Sequence, residues 1–179
     1  TLVAGVAACH ALEEGWQVAL MAPTEILAEQ HYLNFKKWFE PLGLNVSWLS
    51  GKQKGKARAA AEQGIKEGTA NLVVGTHALF QENVGFAKLG LVIIDEQHRF
   101  GVDQRLALRN KGANNMTPHQ LVMTATPIPR TLAMSAYGDL DTSVIDELPP
   151  GRTPIQTVTI PLDRREEVLV RIATNCAEG

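Results

Sequence analysis

The stretch Leu91-Val92-Ile93-Ile94-Asp95-Glu96-Gln97-His98 places four large aliphatic residues directly before two carboxylates. An uninterrupted apolar run of this length is typical of a strand buried on both faces, as in a parallel sheet that helices cover. Functional groups gather just beyond the carboxyl ends of such strands. A bare Asp-Glu pair more often begins a solvated turn, but the aliphatic run before it and His98 after it favour a functional site.

Apolar runs of strand length recur along the chain and alternate with segments of helical periodicity. Thr24 is suited to cap one of these helices, and Gly15 and Pro41 follow the ends of two of them. Alternation of strands and helices indicates a parallel sheet with right-handed crossovers, so the predicted fold class is α/β. The predicted strands cover residues 18–21, 46–49, 72–74, 91–94 and 121–123, and the predicted helices cover residues 2–14, 24–39 and 57–66.

Composition narrows the class of protein. The 179 residues are 45% hydrophobic and 20% charged, as in ordinary globular proteins, so a packed core is expected. The formal net charge of -2 argues against a protein that coats nucleic acid by charge alone, but it allows a local basic site. Cys9 and Cys176 match no metal-ligand spacing and are interpreted as reduced thiols in a cytoplasmic protein.

The character of the sequence changes near residue 150. The stiff, turn-rich segment Pro149-Pro150-Gly151-Arg152-Thr153-Pro154 is typical of a linker between domains. A strand is predicted over residues 155–160 and a helix over 163–175, which are too few residues for a domain of the usual size. We therefore expect one domain over residues 1–148, a linker over 149–154, and the start of a second domain over 155–179.

Asp95 and Glu96 follow a predicted strand, a position at which carboxylates can take part in phosphoryl transfer. A carboxylate at a strand end can hold Mg²⁺ on nucleotide phosphates, because Mg²⁺ prefers a few hard oxygen ligands and keeps several waters. A second carboxylate alongside can orient or deprotonate the attacking water in phosphoryl transfer. The pattern predicts Asp95 as the metal ligand and Glu96 as the residue that activates water.

A second string, Thr124-Ala125-Thr126-Pro127-Ile128-Pro129-Arg130-Thr131, follows the apolar run at residues 121–123. Hydroxyl groups at the end of a neighbouring strand can hydrogen-bond the carboxylates and report the state of the nucleotide. A strand-to-helix turn, with Thr126 as its cap and proline at the helix start, explains the same residues. The two interpretations are compatible.

Three further segments have the features of contacts to a phosphate backbone. Pro23-Thr24 begins a predicted helix, whose free N–H groups and threonine hydroxyl suit one nucleic-acid phosphate. Gly75-Thr76-His77 occupies the equivalent place after another strand. The segment Ser50-Gly51-Lys52-Gln53-Lys54-Gly55-Lys56-Ala57-Arg58 is the basic cluster of the chain. A simple capped helix, a structural histidine and a solvated loop are the respective alternatives.

Together these strings resemble the motifs of superfamily 2 helicases. The run Asp95-Glu96-Gln97-His98 is similar to the second motif in its Asp-Glu-x-His form, and residues 124–131 are similar to the third. Residues 22–31 and 75–77 are similar to motifs Ia and Ib, which contact DNA. The resemblance implies a RecA-like (P-loop NTPase) parallel sheet with flanking helices, with ATP and Mg²⁺ as cofactors and DNA as a partner.

The resemblance also implies roles for individual residues. The implied catalytic residues are Asp95, Glu96, Gln97 and His98. The implied nucleotide-binding residues are Thr1, Asp95, Thr124 and Thr126, of which Thr1 and Asp95 are the implied Mg²⁺ ligands. The implied DNA contacts are Pro23, Thr24, Gly51, Lys52, Lys54, Thr76 and His77.

Thr1 takes its implied role from where the family has its phosphate loop. Members place this loop directly before a segment like Thr1-Leu2-Val3-Ala4, so its glycines, its lysine and its strand are expected upstream of residue 1. Without that lysine, which reaches the β- and γ-phosphates, the chain alone is predicted to hydrolyse little or no ATP. The sheet would also lack its N-terminal P-loop strand, and residues 155–160 or a second copy of the chain would fill the gap.

Longer strings indicate a branch of the superfamily. Residues 94–102 and 127–132 resemble ATP-dependent helicases that remodel branched DNA, such as replication forks and junctions, in recombination and repair. The transcription-repair coupling translocase is an alternative, although it typically has glutamate where Gln97 stands. A non-catalytic DNA-binding module is another alternative, but an idle site has no chemical need for Asp95 and Glu96. A P-loop kinase or GTPase fits Asp95 but not residues 124–130.

Overall fold

The computed structural model of the chain describes residues 1–81, 83–96, 111–112, 116–125, 141–147, 151–152, 155 and 157–178. Gln97, His98 and Thr126, three of the predicted site residues, lie outside this set, as does most of the predicted linker. The chain divides into two compact units, Thr1–Pro129 and Arg130–Gly179.

The first unit alternates helices and strands, as the periodicity predicts. Most observed bounds lie within about two residues of the predicted ones, as expected because the ends of such elements are defined only loosely by pattern. The helices are α1 (Leu2–Glu13), α2 (Glu25–Phe39) and α3 (Gly55–Glu67), and the strands are β1 (Gln17–Met21), β2 (Val46–Leu49), β3 (Leu72–Gly75), β4 (Leu89–Asp95) and β5 (His119–Met123). Short 3-10 turns follow α2 at Glu40–Leu42 and β3 at His77–Phe80.

The five strands form one sheet in the order β2-β3-β1-β4-β5, and every pair is parallel. The α/β prediction is therefore confirmed. Because the strands are parallel, the carboxyl ends of all five lie along one edge of the sheet. The residues that follow those ends are brought close together there, although they are far apart in the chain.

Helices cover both faces of the sheet, and alternate residues of each strand enter two separate hydrophobic clusters. The first cluster, on what we call the α3 face, includes Ala19, Val73, Val92, Ile94 and Ile65. The second, on the α1/α2 face, includes Leu20, Val74, Leu91, Ile93, Ala8 and Phe35. β1 and β3 are buried along their whole lengths, which explains why they appear in the sequence as continuous apolar runs.

Thr24 begins α2 as the pattern predicts. Its backbone is extended, and its side-chain oxygen accepts a hydrogen bond from the Leu27 N–H at 3.3 Å. This bond satisfies one of the free N–H groups in the first turn of the helix. On the opposite edge of the sheet, where helices lead into strands, a left-handed glycine follows the helix, Gly15 at φ 75° after α1 and Gly68 at φ 78° after α3.

Gln17, at the start of β1, is a buried polar residue that joins three segments. Its amide nitrogen donates to the Ile65 carbonyl at 2.9 Å and to the Ala70 carbonyl at 2.8 Å. Its amide oxygen accepts from the Lys88 N–H at 2.9 Å. The Gln17 side chain thus provides hydrogen-bond partners for backbone groups at the end of α3, before β3 and before β4. These groups lie outside the hydrogen bonds that pair the strands of the sheet.

Replacing Gln17 with leucine is expected to lower the free energy of unfolding by about 3 kcal/mol, because the Ala70 carbonyl and the Lys88 N–H lose their partner and each such group costs about 1–3 kcal/mol. The Ile65 carbonyl still accepts from the N–H groups of Gly68 and Ala87. Urea denaturation followed by circular dichroism measures the change. Gln63→Leu is the matched control, since the Gln63 amide contacts the Glu67 side chain on the exposed surface of α3. Equal denaturation midpoints for the two variants would contradict the assigned role of Gln17.

The second unit contains a 3-10 turn at Leu162–Arg164 and a helix, α4 (Arg165–Glu178). The helix predicted over residues 163–175 is confirmed. The strand predicted over residues 155–160 is wrong for the residues that the structure describes there, which have no regular structure. A strand needs a neighbour for its backbone N–H and C=O groups, and an apolar alternation without such a neighbour stays irregular. No helix among the described residues is long and apolar enough to cross a bilayer.

Candidate functional site

The carboxylate pair stands at the end of β4, on the edge of the sheet where all the strands end. Asp95 is the last residue of the strand, and its side chain is 20% exposed. Because side chains alternate along a strand, Asp95 shares the α1/α2 face with Leu91 and Ile93. The carboxylate therefore lies where the apolar residues of the α1/α2 face end, at the carboxyl edge of the sheet, and water and ligands can reach it there.

Glu96 has an unusual backbone. Its φ of 52° lies in the left-handed region, which non-glycine residues rarely adopt. Its N–H donates to the Met123 carbonyl of β5 at 2.9 Å, which anchors the turn to the neighbouring strand. Strained backbone of this kind persists only where the surrounding structure holds it in place, and such residues are found most often at functional sites.

Thr124 lies directly beside this turn. β4 and β5 pair with Asp95 opposite Met123, so the residue after β5 is next to the residue after β4. The Thr124 hydroxyl donates to Glu96 Oε2 at 3.2 Å. The structure thus brings together three of the residues singled out in the sequence, Asp95, Glu96 and Thr124.

Thr1 lies on the same edge and the same face. It precedes α1, whose side chains pack on the α1/α2 face. α1 runs opposite to β1, which follows it after a tight turn, so the first residue of α1 lies at the carboxyl edge of the strands. Thr1 is exposed there, and its hydroxyl caps no N–H of the helix.

These oxygen atoms fit a Mg²⁺ ion bound with nucleotide phosphates. Asp95 and Glu96 supply hard carboxylate oxygens, and Thr124 supplies a hydroxyl. Within the described ranges, no group of three His, Cys, Asp or Glu side chains forms a metal cage. Mg²⁺ in phosphate-transfer sites takes only one or two protein carboxylates and completes its shell with phosphate oxygens and water. Asp95 and Glu96 provide carboxylates in that number.

A second group of predicted residues gathers at the ends of β1, β2 and β3. A shallow pocket of about 380 Å³ is lined by Pro23, Thr24, Glu25, Ile26, Lys52, Thr76 and His77. Gly51 lies beside it, because a Cβ built on this glycine would contact the His77 ring at 3.4 Å. Of the predicted DNA contacts, Lys54 lies elsewhere, at the N-cap position of α3. We call this group the β1–β3 pocket.

Lys52 is the cation of the β1–β3 pocket. Its ammonium forms an ion pair with the Glu25 carboxylate. The hydrogen bond to Glu25, and then the negative charge of Glu25, raise the pKa of Lys52 above its ordinary value, so the amine stays charged. The Lys52 side chain is 85% exposed, which leaves it accessible to a ligand from solvent.

Arg58, at the other end of the basic cluster, has a structural contact pattern. Its guanidinium donates to the Ser50 carbonyl at 3.2 Å and to the Gln81 amide oxygen at 2.6 Å, and it pairs with Glu62 at 2.8 Å. These contacts tie the loop after β2 to α3 and to the 3-10 turn after β3. Arg58 therefore holds the loop that carries Gly51 and Lys52.

The sequence pattern assigns no separate role to His31, which contacts the carboxylate site. Its Nε2 lies 2.7 Å from Asp95 Oδ2. In the sequence, His31 appears only as a residue in the middle of an amphipathic helix, 64 positions before Asp95. A helical projection would have placed it on the buried side of α2, but only the fold shows which strand it reaches.

Comparison with known proteins places these observations in a family. The family model of the DEAD/DEAH box helicases matches residues 1–135. The chain is 65% identical, over 98% of its length, to the ATP-dependent DNA helicase RecG of Escherichia coli strain K12, and 49% identical over its whole length to that of Aquifex aeolicus. It spans 26% and 22% of these two relatives, or about a quarter of their length.

Solved structures agree with the sequence relatives. A structure of RecG bound to a three-way DNA junction matches 100% of this chain and 24% of the RecG chain, with a TM-score of 0.83 and 45% identity. The DUF1998 helicase MrfA bound to DNA matches 76% of this chain and 18% of its own, with a TM-score of 0.61 and 17% identity, which supports the fold alone. The prediction of a RecA-like helicase fold is confirmed.

Proposed function

Because the chain belongs to the DEAD/DEAH box helicase family, we propose that it is a motor segment of an ATP-dependent DNA helicase that remodels branched DNA in recombination and repair. One observation carries the proposal: the carboxylates at the end of β4 and the β1–β3 pocket lie on the same edge of one sheet. A nucleotide site and a DNA-phosphate site on one rigid edge are what a motor needs in order to couple hydrolysis to movement on DNA.

At the nucleotide site, Asp95 would hold the Mg²⁺ that accompanies the nucleotide, and Glu96 would orient a water molecule and accept its proton. Mg²⁺, when bound, neutralises charge on the phosphate oxygens. Thr124 donates a hydrogen bond to Glu96 and so holds this carboxylate in place, and a movement of the carboxylate would move Thr124 as well. Thr1 is a second metal ligand in this proposal. The roles of Gln97, His98 and Thr126 stay predictions.

At the β1–β3 pocket, DNA is held through its phosphates. The free N–H groups at the start of α2 and the Thr24 hydroxyl suit one phosphate, and the Lys52 ammonium suits a neighbouring one. Thr76 and His77 line the same surface. Such contacts position a DNA strand without reading its sequence, in keeping with a motor that moves over any sequence. Lys54 is proposed as a contact further along the strand.

Two finer points belong to the same proposal. β5 lies at the end of the strand order, so its outer backbone edge is open among the described strands. The described residues of the segment 155–160 form no strand that could pair with that edge, whereas pairing with a second copy of the chain stays a prediction. A cytoplasmic location fits the bacterial DNA helicases that the chain resembles, and it also stays a prediction.

The test is a chimera in which this chain replaces the matching quarter of E. coli RecG. We expect the chimera to hydrolyse ATP in a DNA-dependent manner and to unwind a three-way junction. The isolated chain should hydrolyse little or none, because it holds no Gly-x-x-x-x-Gly-Lys-Ser/Thr phosphate loop. Release of phosphate and separation of labelled DNA strands are the measurements.

Other outcomes identify the alternatives. A folded chimera that binds the junction but binds no nucleotide would show a non-catalytic DNA-binding module. Activity of the chain inside the transcription-repair coupling translocase, without activity inside RecG, would support that rival. Strong ATP hydrolysis by the isolated chain would overturn the assignment of Thr1.

A further inference from the structure

His31 is a buried polar residue in contact with the proposed metal ligand. Its side chain is 8% exposed and lies on α2, beneath the carboxyl edge of the sheet. Nε2 lies 2.7 Å from Asp95 Oδ2, a distance typical of a hydrogen bond to a charged oxygen. The ring packs edge-on against Phe35, one helical turn further along, with centroids 6.4 Å apart and planes at 79°. Packing and hydrogen bond together define one orientation of the imidazole.

The surroundings of the other ring nitrogen select a tautomer. Nδ1 of His31 is buried, and none of the described residues offers it a hydrogen-bond partner. With the proton on Nδ1, that N–H would be a buried donor without an acceptor, and the Nε2 lone pair would face the Asp95 oxygen with no hydrogen between them. A proton on Nε2 instead is donated to Asp95. The arrangement therefore suits an imidazole that carries its proton on Nε2.

The bond to His31 constrains the Asp95 carboxylate. With Oδ2 held by the imidazole, rotation of the carboxylate is restricted, and Oδ1 is left as the oxygen for a metal ion or its bound water. Groups that orient a metal-binding side chain in this way raise metal affinity, and their removal typically costs about 10–100-fold in affinity or activity. His31 would act on the metal through Asp95 without touching it.

α2 gives His31 a second connection. The helix begins beside the β1–β3 pocket, where Thr24 caps its first turn. His31 lies seven residues after Thr24, which is about 10 Å along the axis of an α-helix. An α-helix moves as a rigid body, so a displacement of its first turn also displaces the imidazole and, through the hydrogen bond, the Asp95 carboxylate.

The geometry points to His31 as a positioning residue that links the DNA-phosphate end of α2 to the metal-binding carboxylate of β4. This inference rests on the proposed function and deepens it, because it names the route by which DNA binding changes the nucleotide site. DNA seated at the N-terminus of α2 stabilises the orientation of Asp95 that binds Mg²⁺ with nucleotide. By linkage, Mg²⁺-nucleotide changes the affinity for DNA by the same factor.

Three substitutions in the RecG chimera test this link. His31→Leu removes the donor, and His31→Asn keeps an amide that reaches only to the position of Nδ1. His31→Gln carries an amide N–H close to the position of Nε2, so it is the conservative rescue. Phe39→Leu is the matched control, since Phe39 lies on the same buried face of α2 and stacks on Phe35, about two helical turns after the residue that bonds Asp95.

Two readouts are measured on each variant. The first is the ratio of ATP turnover with and without three-way-junction DNA. The second needs no turnover: it is the Mg²⁺ concentration for half-maximal binding of fluorescently labelled ADP, with and without that DNA. For His31→Leu and His31→Asn we expect a loss of about 10–100-fold in DNA stimulation and a similar rise in the Mg²⁺ requirement. His31→Gln should recover most of both, and Phe39→Leu should lower the melting temperature alone.

The outcomes separate this inference from the proposed function. An unmodified chimera without ATP turnover means that the proposed function fails, whatever His31 does. An active chimera in which His31→Asn keeps both readouts within about twofold of the parent overturns the role of His31. So does an active chimera in which His31→Gln loses as much as His31→Asn, or in which Phe39→Leu loses DNA stimulation equally. Should His31→Leu fail to fold, the comparison of His31→Asn with His31→Gln still decides.

Discussion

Glu96→Gln in the RecG chimera is expected to reduce the turnover of ATP by about 100-fold or more. Glutamine keeps the size of the side chain and can still accept the hydrogen bond from Thr124, but it cannot take a proton from water. Loss of a general base typically costs about 10²–10⁴-fold in rate. Binding of labelled ADP should change little, because the substitution leaves Asp95 intact.

Steady-state phosphate release gives the turnover, and fluorescence titration gives the affinity for nucleotide. The matched control is Glu67→Gln, which makes the same chemical change on the exposed side of α3 and should leave turnover within about twofold of the parent, as surface substitutions away from special features usually do. Equal losses in both variants would show that charge in general, rather than the base at residue 96, is responsible. An undiminished Glu96→Gln enzyme would remove Glu96 from the mechanism.

Gly75→Ala is expected to lower the free energy of unfolding by about 3 kcal/mol or more, because overpacking costs about 1–3 kcal/mol where side chains can yield and more where backbone must move. Gly75 ends β3 and pairs with Leu49 of β2. A Cβ on this glycine would overlap the Leu49 carbonyl oxygen, and it would lie 3.2 Å from Leu79 Cγ. The added methyl group therefore forces β2 and β3 apart at the edge that carries Thr76 and His77.

Thermal unfolding of the chain, followed by circular dichroism, measures the effect, and about 3 kcal/mol corresponds to a decrease of roughly 6–12 °C in melting temperature for a protein of this size. Gly85→Ala is the matched control, since a Cβ built on Gly85 meets nothing within 4 Å. A Gly75→Ala protein as stable as Gly85→Ala would contradict the close approach of β2 and β3. Affinity for junction DNA should fall with Gly75→Ala in the chimera, because the β1–β3 pocket loses its shape.

The predictions that succeeded from the sequence depend on local physics. Continuous apolar runs predicted the strands because β1, β3 and β4 are covered on both faces. Thr24 predicted the start of α2 because a hydroxyl at that position satisfies a free N–H group. The strand predicted over residues 155–160 failed for the opposite reason. Alternation shows that a segment can pair, but a partner strand decides whether it does.

The contacts among the predicted site residues show the same division. Asp95, Glu96 and Thr124 were recognisable because each follows an apolar run and forms part of a known string. Their mutual contact follows from the pairing of β4 with β5, which puts the two strand ends side by side. Arg58 belonged to the same basic cluster as Lys52, yet the fold gives it carbonyl, amide and carboxylate partners inside the protein. The charge of a residue in the sequence does not show whether its side chain binds other parts of the protein or a ligand.

By itself, the sequence determined the α/β class, the positions of the strands and the identity of the residues at their carboxyl ends, because hydrophobic period and capping are properties of short segments. Only the tertiary structure decided which of those ends are neighbours. The order β2-β3-β1-β4-β5 places β1 beside β4, and the alternation along β4 turns Asp95 toward the face that α2 covers. His31 of α2 therefore contacts Asp95, although the two residues are 64 positions apart in the sequence. Such a contact depends on strand order and face, which no local pattern encodes.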